Sequence, residues 1–114
     1  MALIRRASDI RSKRPDGPGW KETRERLLAG PAQGCDRFTF RLVSLKPDGS
    51  TPRMQRNGTR TVLLLEGEVL LMDGDGALSK LSTGDVAVIR PGERHQFINQ
   101  FTSTVRMVQV DDQR

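Results

Sequence analysis

Tyrosine is absent from this 114-residue chain, and histidine, cysteine and tryptophan occur once each. Each shortage closes off a class of chemistry. With Cys35 alone there is no intramolecular disulfide and no cysteine-based zinc cluster. With His95 as the sole imidazole, a metal site built from several histidines is excluded. One tryptophan and four phenylalanines leave few rings to stack on bases, and no helix-turn-helix or zinc-finger pattern is present. Both facts argue against a nucleic-acid partner. No apolar run exceeds four residues, far short of the roughly 18 that a membrane span needs. The first 14 residues carry Arg5, Arg6, Arg11, Lys13 and Arg14 but no apolar signal core, and Asp9 interrupts a transit-peptide pattern. The expected setting is therefore cytoplasmic.

The chain is long enough for one domain with a single core. Its formal net charge of +5 is unevenly spread. Residues 1–60 hold 14 Lys and Arg against 6 Asp and Glu, whereas residues 61–114 hold 5 against 8. A positive half attracts acidic ligands, or is simply a solvated arginine-rich surface.

Residues 1–19 are polar and basic, with Pro15-Asp-Gly-Pro-Gly19 near the end. They read as an N-terminal arm, with a short strand at residues 2–5, ahead of one domain over residues 20–114. Residues 20–29 fit a helix or an outer strand, and Gly30-Pro31 ends them. Beyond this point the pattern is β. Residues 37–45 alternate, with Phe38, Phe40 and Leu42 on one side and Arg37, Thr39 and Arg41 on the other. Pro47-Asp-Gly49 reads as a turn. Strands are expected at 61–65, 69–72, 78–81, 86–89, 96–98 and 104–110. In the last, Val105, Met107 and Gln109 share one face. Asp73-Gly-Asp-Gly76 predicts a hairpin rather than a calcium loop, which would need later ligands that are missing. Many short strands at close spacing mean a sandwich or barrel.

Residues 84–99 read Gly-Asp-Val-Ala-Val-Ile-Arg-Pro-Gly-Glu-Arg-His-Gln-Phe-Ile-Asn. This resembles the second sequence motif of the cupin superfamily: a glycine, a strand, a Pro/Gly turn, a histidine and, after three residues, an asparagine. One detail departs from the motif, since Arg90 stands where the proline is usual and Pro91 follows it. Leu65-Glu-Gly-Glu68 resembles the end of the first cupin motif. The resemblance spans roughly residues 23–110 and implies an all-β fold: a cupin double-stranded β-helix, or jelly-roll barrel, of two antiparallel sheets. It also implies a homodimer, with the N-terminal arm as a candidate for exchange between partners.

The family's usual metal ligands, two upstream histidines and a glutamate, are missing. Counting back from Gly67 puts Arg60 at the glutamate position. The two histidine positions fall on Arg56 and Met54, or on Gln55 and Arg53 with a longer spacer. A guanidinium is permanently charged and has no lone pair, so it repels a divalent cation and favours an anion. The expectation is no metal and no cofactor, with Met54, Arg56, Arg60 and His95 as candidate ligand-binding residues. His95 reads either as a pocket base, the one candidate catalytic group, or as part of a buried hydrogen-bond network. Arg56 and Arg60 either clamp an anion, or snorkel to solvent at the barrel mouth or pair with Glu66, Glu68 or nearby Asp residues. The leading function is a small-molecule binding or sensor module with an anionic ligand. The alternatives are a metal-independent isomerase or lyase using His95, and a metal-dependent dioxygenase-like cupin with atypical ligands.

Overall fold

The computed structural model describes residues 2–112. Eight strands form it: β1 (Lys21–Ala29), β2 (Phe38–Ser50), β3 (Arg60–Glu66), β4 (Glu68–Met72), β5 (Leu78–Ser82), β6 (Val86–Ile89), β7 (Gln96–Ile98) and β8 (Val105–Asp112). All pairings are antiparallel. One side of the barrel runs β6-β3-β8-β2, with β1 also paired to β2, and the other runs β5-β4-β7. The two are joined where β2 meets β7 at Ser50 and Ile98. This is the expected jelly-roll barrel.

Side chains opposite one another in paired strands lie on the same face of the sheet. The inner rows of β2, β8 and β3 therefore stack in layers. Thr39, Asp111 and Arg60 form one layer; Arg41, Gln109 and Val62 the next; then Val43, Met107 and Leu64; then Leu45 and Val105. Each row runs from polar to apolar in the same direction. The apolar end joins Val69, Ile89 and Phe97 in one buried core, with Leu71 and Leu81 packed against it. Burying each large side chain in this plug contributes about 1.5–3 kcal/mol. The polar end is left as a mouth.

Residues 20–29 prove to be a strand, pairing with β2 along its length. The Asp73 turn is the expected hairpin: its Oδ1 accepts from the N–H groups of Asp75 and Ala77, and β4 pairs with β5 on either side. Gly67 joins β3 to β4 with φ +90°, and a Cβ there would come within 3.0 Å of the Thr104 carbonyl oxygen.

Two expectations need correction, and the inward face of β2, which alternation left open, is settled. Pro47-Asp-Gly49 does not reverse the chain. β2 continues through it to Ser50, with Asp48 at φ +67° and its N–H bonded to the Asn99 carbonyl. The irregularity that the sequence signals as a turn is a bulge of β2 against β1, between the pairs Lys21–Ser50 and Thr23–Leu45. Residues 2–5 form no strand; the first regular element is a short 3-10 turn over Ala7–Asp9. In β2 it is Thr39, Arg41, Val43 and Leu45 that face the interior, whereas Phe38 is 47% exposed on the outer face. The polar mouth requires Thr39 and Arg41 inside, which displaces the phenylalanines outward.

Among the described residues no helix is long and apolar enough to cross a membrane. The arm lies along β1: Lys13 exchanges backbone hydrogen bonds with Glu25, and Arg5 donates to the carbonyls of Leu27 and Leu28.

Candidate functional site

The four residues singled out in the sequence meet at the polar end of the barrel. Met54 and His95 pair through reciprocal backbone hydrogen bonds of 2.9 and 2.8 Å. Arg60, at the start of β3, is only 8% exposed. Its Nη1 lies 3.1 Å from Met54 Sδ and 3.1 Å from His95 Nε2. Its Nε and Nη2 donate to Asp111 Oδ1 and Oδ2 at 2.8 and 3.1 Å. Four of the five guanidinium N–H donors are thereby engaged. Arg56 is held by the carbonyls of Thr59 and Asp112, and its Nη1 stands 3.6 Å from Asp111 Oδ1. Both arginines thus pair with an aspartate, Asp111, and neither with Glu66 or Glu68, whose partners are Arg106 and Lys80.

His95 is 1% exposed. Its Nδ1 lies 3.2 Å from the Glu93 carbonyl oxygen, which fixes the proton on Nδ1 and leaves Nε2 to accept from Arg60. Burial lowers its pKa from 6.5, and the Arg60 charge acts in the same direction, against the Glu93 carbonyl and the charges of Asp111 and Glu93. The ring is therefore a neutral acceptor near pH 7. It stands edge-on to Phe97, centroids 6.1 Å apart, behind Arg60 and Met54. His95 thus supports Arg60 and does not line the cavity.

Three residues of the site carry no sequence motif. Asp111 is 2% exposed and takes contacts from three guanidinium groups: Arg60, Arg56, and Arg41 at 3.4 Å. Extending the Val105-Met107-Gln109 alternation by one step would have found it. Arg41 also approaches Glu25, at 3.8 Å. Gln109 is 3% exposed, yet among the described residues its side-chain amide has no hydrogen-bond partner. It lines the cavity.

That cavity measures about 440 Å³ and opens at the barrel mouth. Its floor and walls come from Thr39, Arg41, Met54, Arg56, Arg60, Gln109 and Asp111, with Glu25 at the side. The arm supplies Lys13, Pro15, Asp16 and Trp20. Four basic groups face three acidic ones, so the cavity has a net positive charge.

A divalent cation does not fit this donor set. The one imidazole directs its free lone pair at the Arg60 guanidinium, and the buried carboxylate of Asp111 is shared by that same group and two more, Arg41 and Arg56. Among the described residues no group of three or more His, Cys, Asp or Glu side chains could hold a metal ion. Cys35 is a free thiol and does not line the cavity.

The chain resembles several solved barrels. The polyketide cyclase RemF from Streptomyces resistomycificus superposes with a TM-score of 0.91 at 29% identity, covering 98% of this chain and 80% of that one. A sugar phosphate isomerase of the cupin superfamily from Silicibacter pomeroyi superposes at 0.86 with 22% identity, over 98% and 76% of the two chains. A predicted oxalate decarboxylase from Thermotoga maritima superposes at 0.84 with 23% identity, over 96% and 98%. The latter two likenesses show the fold alone. A search of curated proteins found no match. Residues 41–111 match the family model described as Cupin domain. With that match over most of its length and its jelly-roll barrel, the chain belongs to the cupin domain family.

Proposed function

We propose that this cupin is a small-molecule binding module whose barrel mouth takes a small organic anion without a metal. The observation that carries the reading is the convergence of Arg41, Arg56 and Arg60 on the single carboxylate of Asp111, at the floor of a half-open cavity. Arg60 is largely consumed by Asp111, His95 and Met54, so its role is to organise the floor. Arg41 and Arg56 are partly exposed and carry the positive charge that a ligand would meet. The amide of Gln109 adds an uncommitted donor and acceptor. The cavity volume lies within the range of about 300–1,000 Å³ usual for small-molecule sites.

The likeness to a polyketide cyclase favours an enzymatic reading, but the chemistry at hand favours binding. A general base must come within about 2.6–3.2 Å of the proton it removes. His95 is buried, and both of its nitrogens have partners.

A thermal-shift screen of carboxylates, phosphates and sugar acids tests the proposal on wild type, Arg41→Ala and Arg56→Ala. An anion that raises the wild-type Tm should lose most of its effect in both variants. Each lost charge-assisted hydrogen bond should cost about 1.5–3 kcal/mol of binding. If no anion stabilises the wild type, or if both variants respond as strongly as wild type to one that does, the arginines are ordinary surface groups.

The working unit under this proposal is a homodimer. The outer face of the sheet carries two unbroken cross-strand rows, Val86-Leu63-Val108-Leu42 and Val88-Thr61-Val110-Phe40. Val86 and Val88 are 56% and 58% exposed. Leu42 is itself buried, so the open apolar surface lies mainly over β6 and β3, where it suits a second copy of the same face.

A further inference from the structure

We infer that Trp20 is the specificity-determining wall of the barrel mouth and selects a planar, conjugated carboxylate. This rests on the anion-binding reading above and names the class of ligand.

The segment from Lys13 to Trp20 lies over the cavity as a strap. It is tied at one end by the backbone pairing of Lys13 with Glu25 and continues at the other into β1. Within it, Trp20 Nε1–H donates to the Asp16 carbonyl at 2.9 Å. That bond spends the only donor of the indole inside the strap. What the ring offers the cavity is its apolar body. The strap also seats against the segment that carries Met54 and Arg56. A Cβ on Gly19, at φ +89°, would fall 2.7 Å from Pro52 Cβ. Only glycine allows this approach, so the position of Trp20 is coupled to the wall that carries Met54.

The cavity is thus divided. Arg41, Arg56 and Gln109 present charge and hydrogen-bonding groups, whereas Trp20, Met54 and Pro15 present apolar surface. A ligand that satisfies both sides has a carboxylate at one end and a flat apolar body at the other. A bare phosphate or acetate would leave the tryptophan wall unused. A saturated ring would forgo the stacking geometry that favours aromatic pairs.

The chain provides its own reporter, because Trp20 is the single tryptophan and there is no tyrosine. Full-length protein is titrated with benzoate, and with acetate (no apolar body) and cyclohexanecarboxylate (a saturated, puckered ring) as controls, following both Trp20 emission and binding heat. Benzoate should change the emission saturably and bind more tightly than either control. Trp20→Ala should weaken benzoate about tenfold, with a smaller loss on acetate, and Trp20→Phe should recover most of it. Gly19→Ala, which forces the strap off Pro52, should reproduce the Trp20→Ala loss, and serves if Trp20→Ala fails to fold. If benzoate binds no better than cyclohexanecarboxylate, or binds Trp20→Ala and Gly19→Ala as tightly as it binds wild type, the tryptophan wall is wrong and the anion site stands. If none of the three carboxylates binds the wild type, the anion site itself is wrong.

Discussion

Arg60 and Asp111 stand directly opposite one another on adjacent strands, and the guanidinium meets both carboxylate oxygens, at 2.8 and 3.1 Å. In a metal-binding relative this end of the barrel would need converging imidazoles and a carboxylate to hold a cation. Here a side-chain cation is covalently tethered and neutralised by a buried carboxylate. His95 and Met54 then satisfy its remaining edge. The pair organises the floor of the site, and each partner depends on the other being present.

Removing the carboxylate alone should be severe. Asp111→Ala leaves Arg60 buried and uncompensated and should cost about 3–5 kcal/mol in urea unfolding, whereas Arg60→Ala leaves Asp111 with Arg41 and Arg56 beside it and should cost less. The double replacement Arg60→Met with Asp111→Leu should be near neutral or stabilising, because the desolvation of both charges is relieved together. A double variant as unstable as the sum of the singles would show that the pair is not coupled.

His95 makes stability depend on pH in a specific direction. Its folded pKa lies below 6.5, so as pH falls through 6.5 the unfolded chain takes up a proton that the folded chain refuses. The contribution is fully present above about pH 6.5 and is lost progressively until the lower folded pKa is reached. The Tm of wild type should fall over this interval more steeply than that of His95→Gln, whose amide can still face Arg60. Equal slopes would mean that His95 does not titrate with unfolding.

Much of this arrangement was legible in the sequence. The strands after residue 37, the Asp73 hairpin and the meeting of Met54, Arg56, Arg60 and His95 follow from alternation, turn chemistry and the cupin-like motif. Asp111 was missed because its strand was ended at Val110, one residue early. The inward direction of Arg41 was missed because its strand's other face, with Phe38, Phe40 and Leu42, looks more like a core. Alternation alone cannot say which face of a strand is inside when the interior changes from apolar to polar along its length. Trp20 reaches the site through the path of the arm, for which no local pattern exists.

The donor set predicts weak metal binding. Dialysed protein should carry no stoichiometric Fe, Mn, Ni, Cu or Zn, and millimolar Zn²⁺ or Mn²⁺ should not raise the Tm. A stoichiometric metal that is lost in His95→Ala would show that the imidazole turns away from Arg60 to ligate it.

Asn99 should be intolerant of change. Fully buried, it donates through Nδ2 to the carbonyls of Leu45 and Ser103 and accepts at Oδ1 from the Phe101 N–H. Asn99→Ala strands these backbone groups and should cost about 1–3 kcal/mol for each left unsatisfied. Asn99→Asp should be worse at neutral pH, because a carboxylate oxygen would then face two carbonyl oxygens. Stability of Asn99→Asp equal to that of Asn99→Ala would show that the loop relaxes around the change.

Self-association should depend on the outer sheet face and, to a separable degree, on the arm. Val88 lies beside Thr61, and Val86 beside Leu63, at the edge of the two apolar rows. A charge placed there would be buried in any face-to-face pairing, so Val88→Glu should give a monomer without loss of fold. Light scattering on wild type should report twice the 12.8 kDa chain mass, and on Val88→Glu the chain mass itself. The arm is mostly exposed, and its backbone bonds to β1 could be made equally well by the arm of a partner. Deleting residues 1–14 should therefore weaken the dimer further if the arms exchange. A truncated chain that remains as tightly dimeric as wild type would assign the interface to the sheet face alone. A wild-type monomer at micromolar concentration would end both assignments and leave the apolar rows to a different partner.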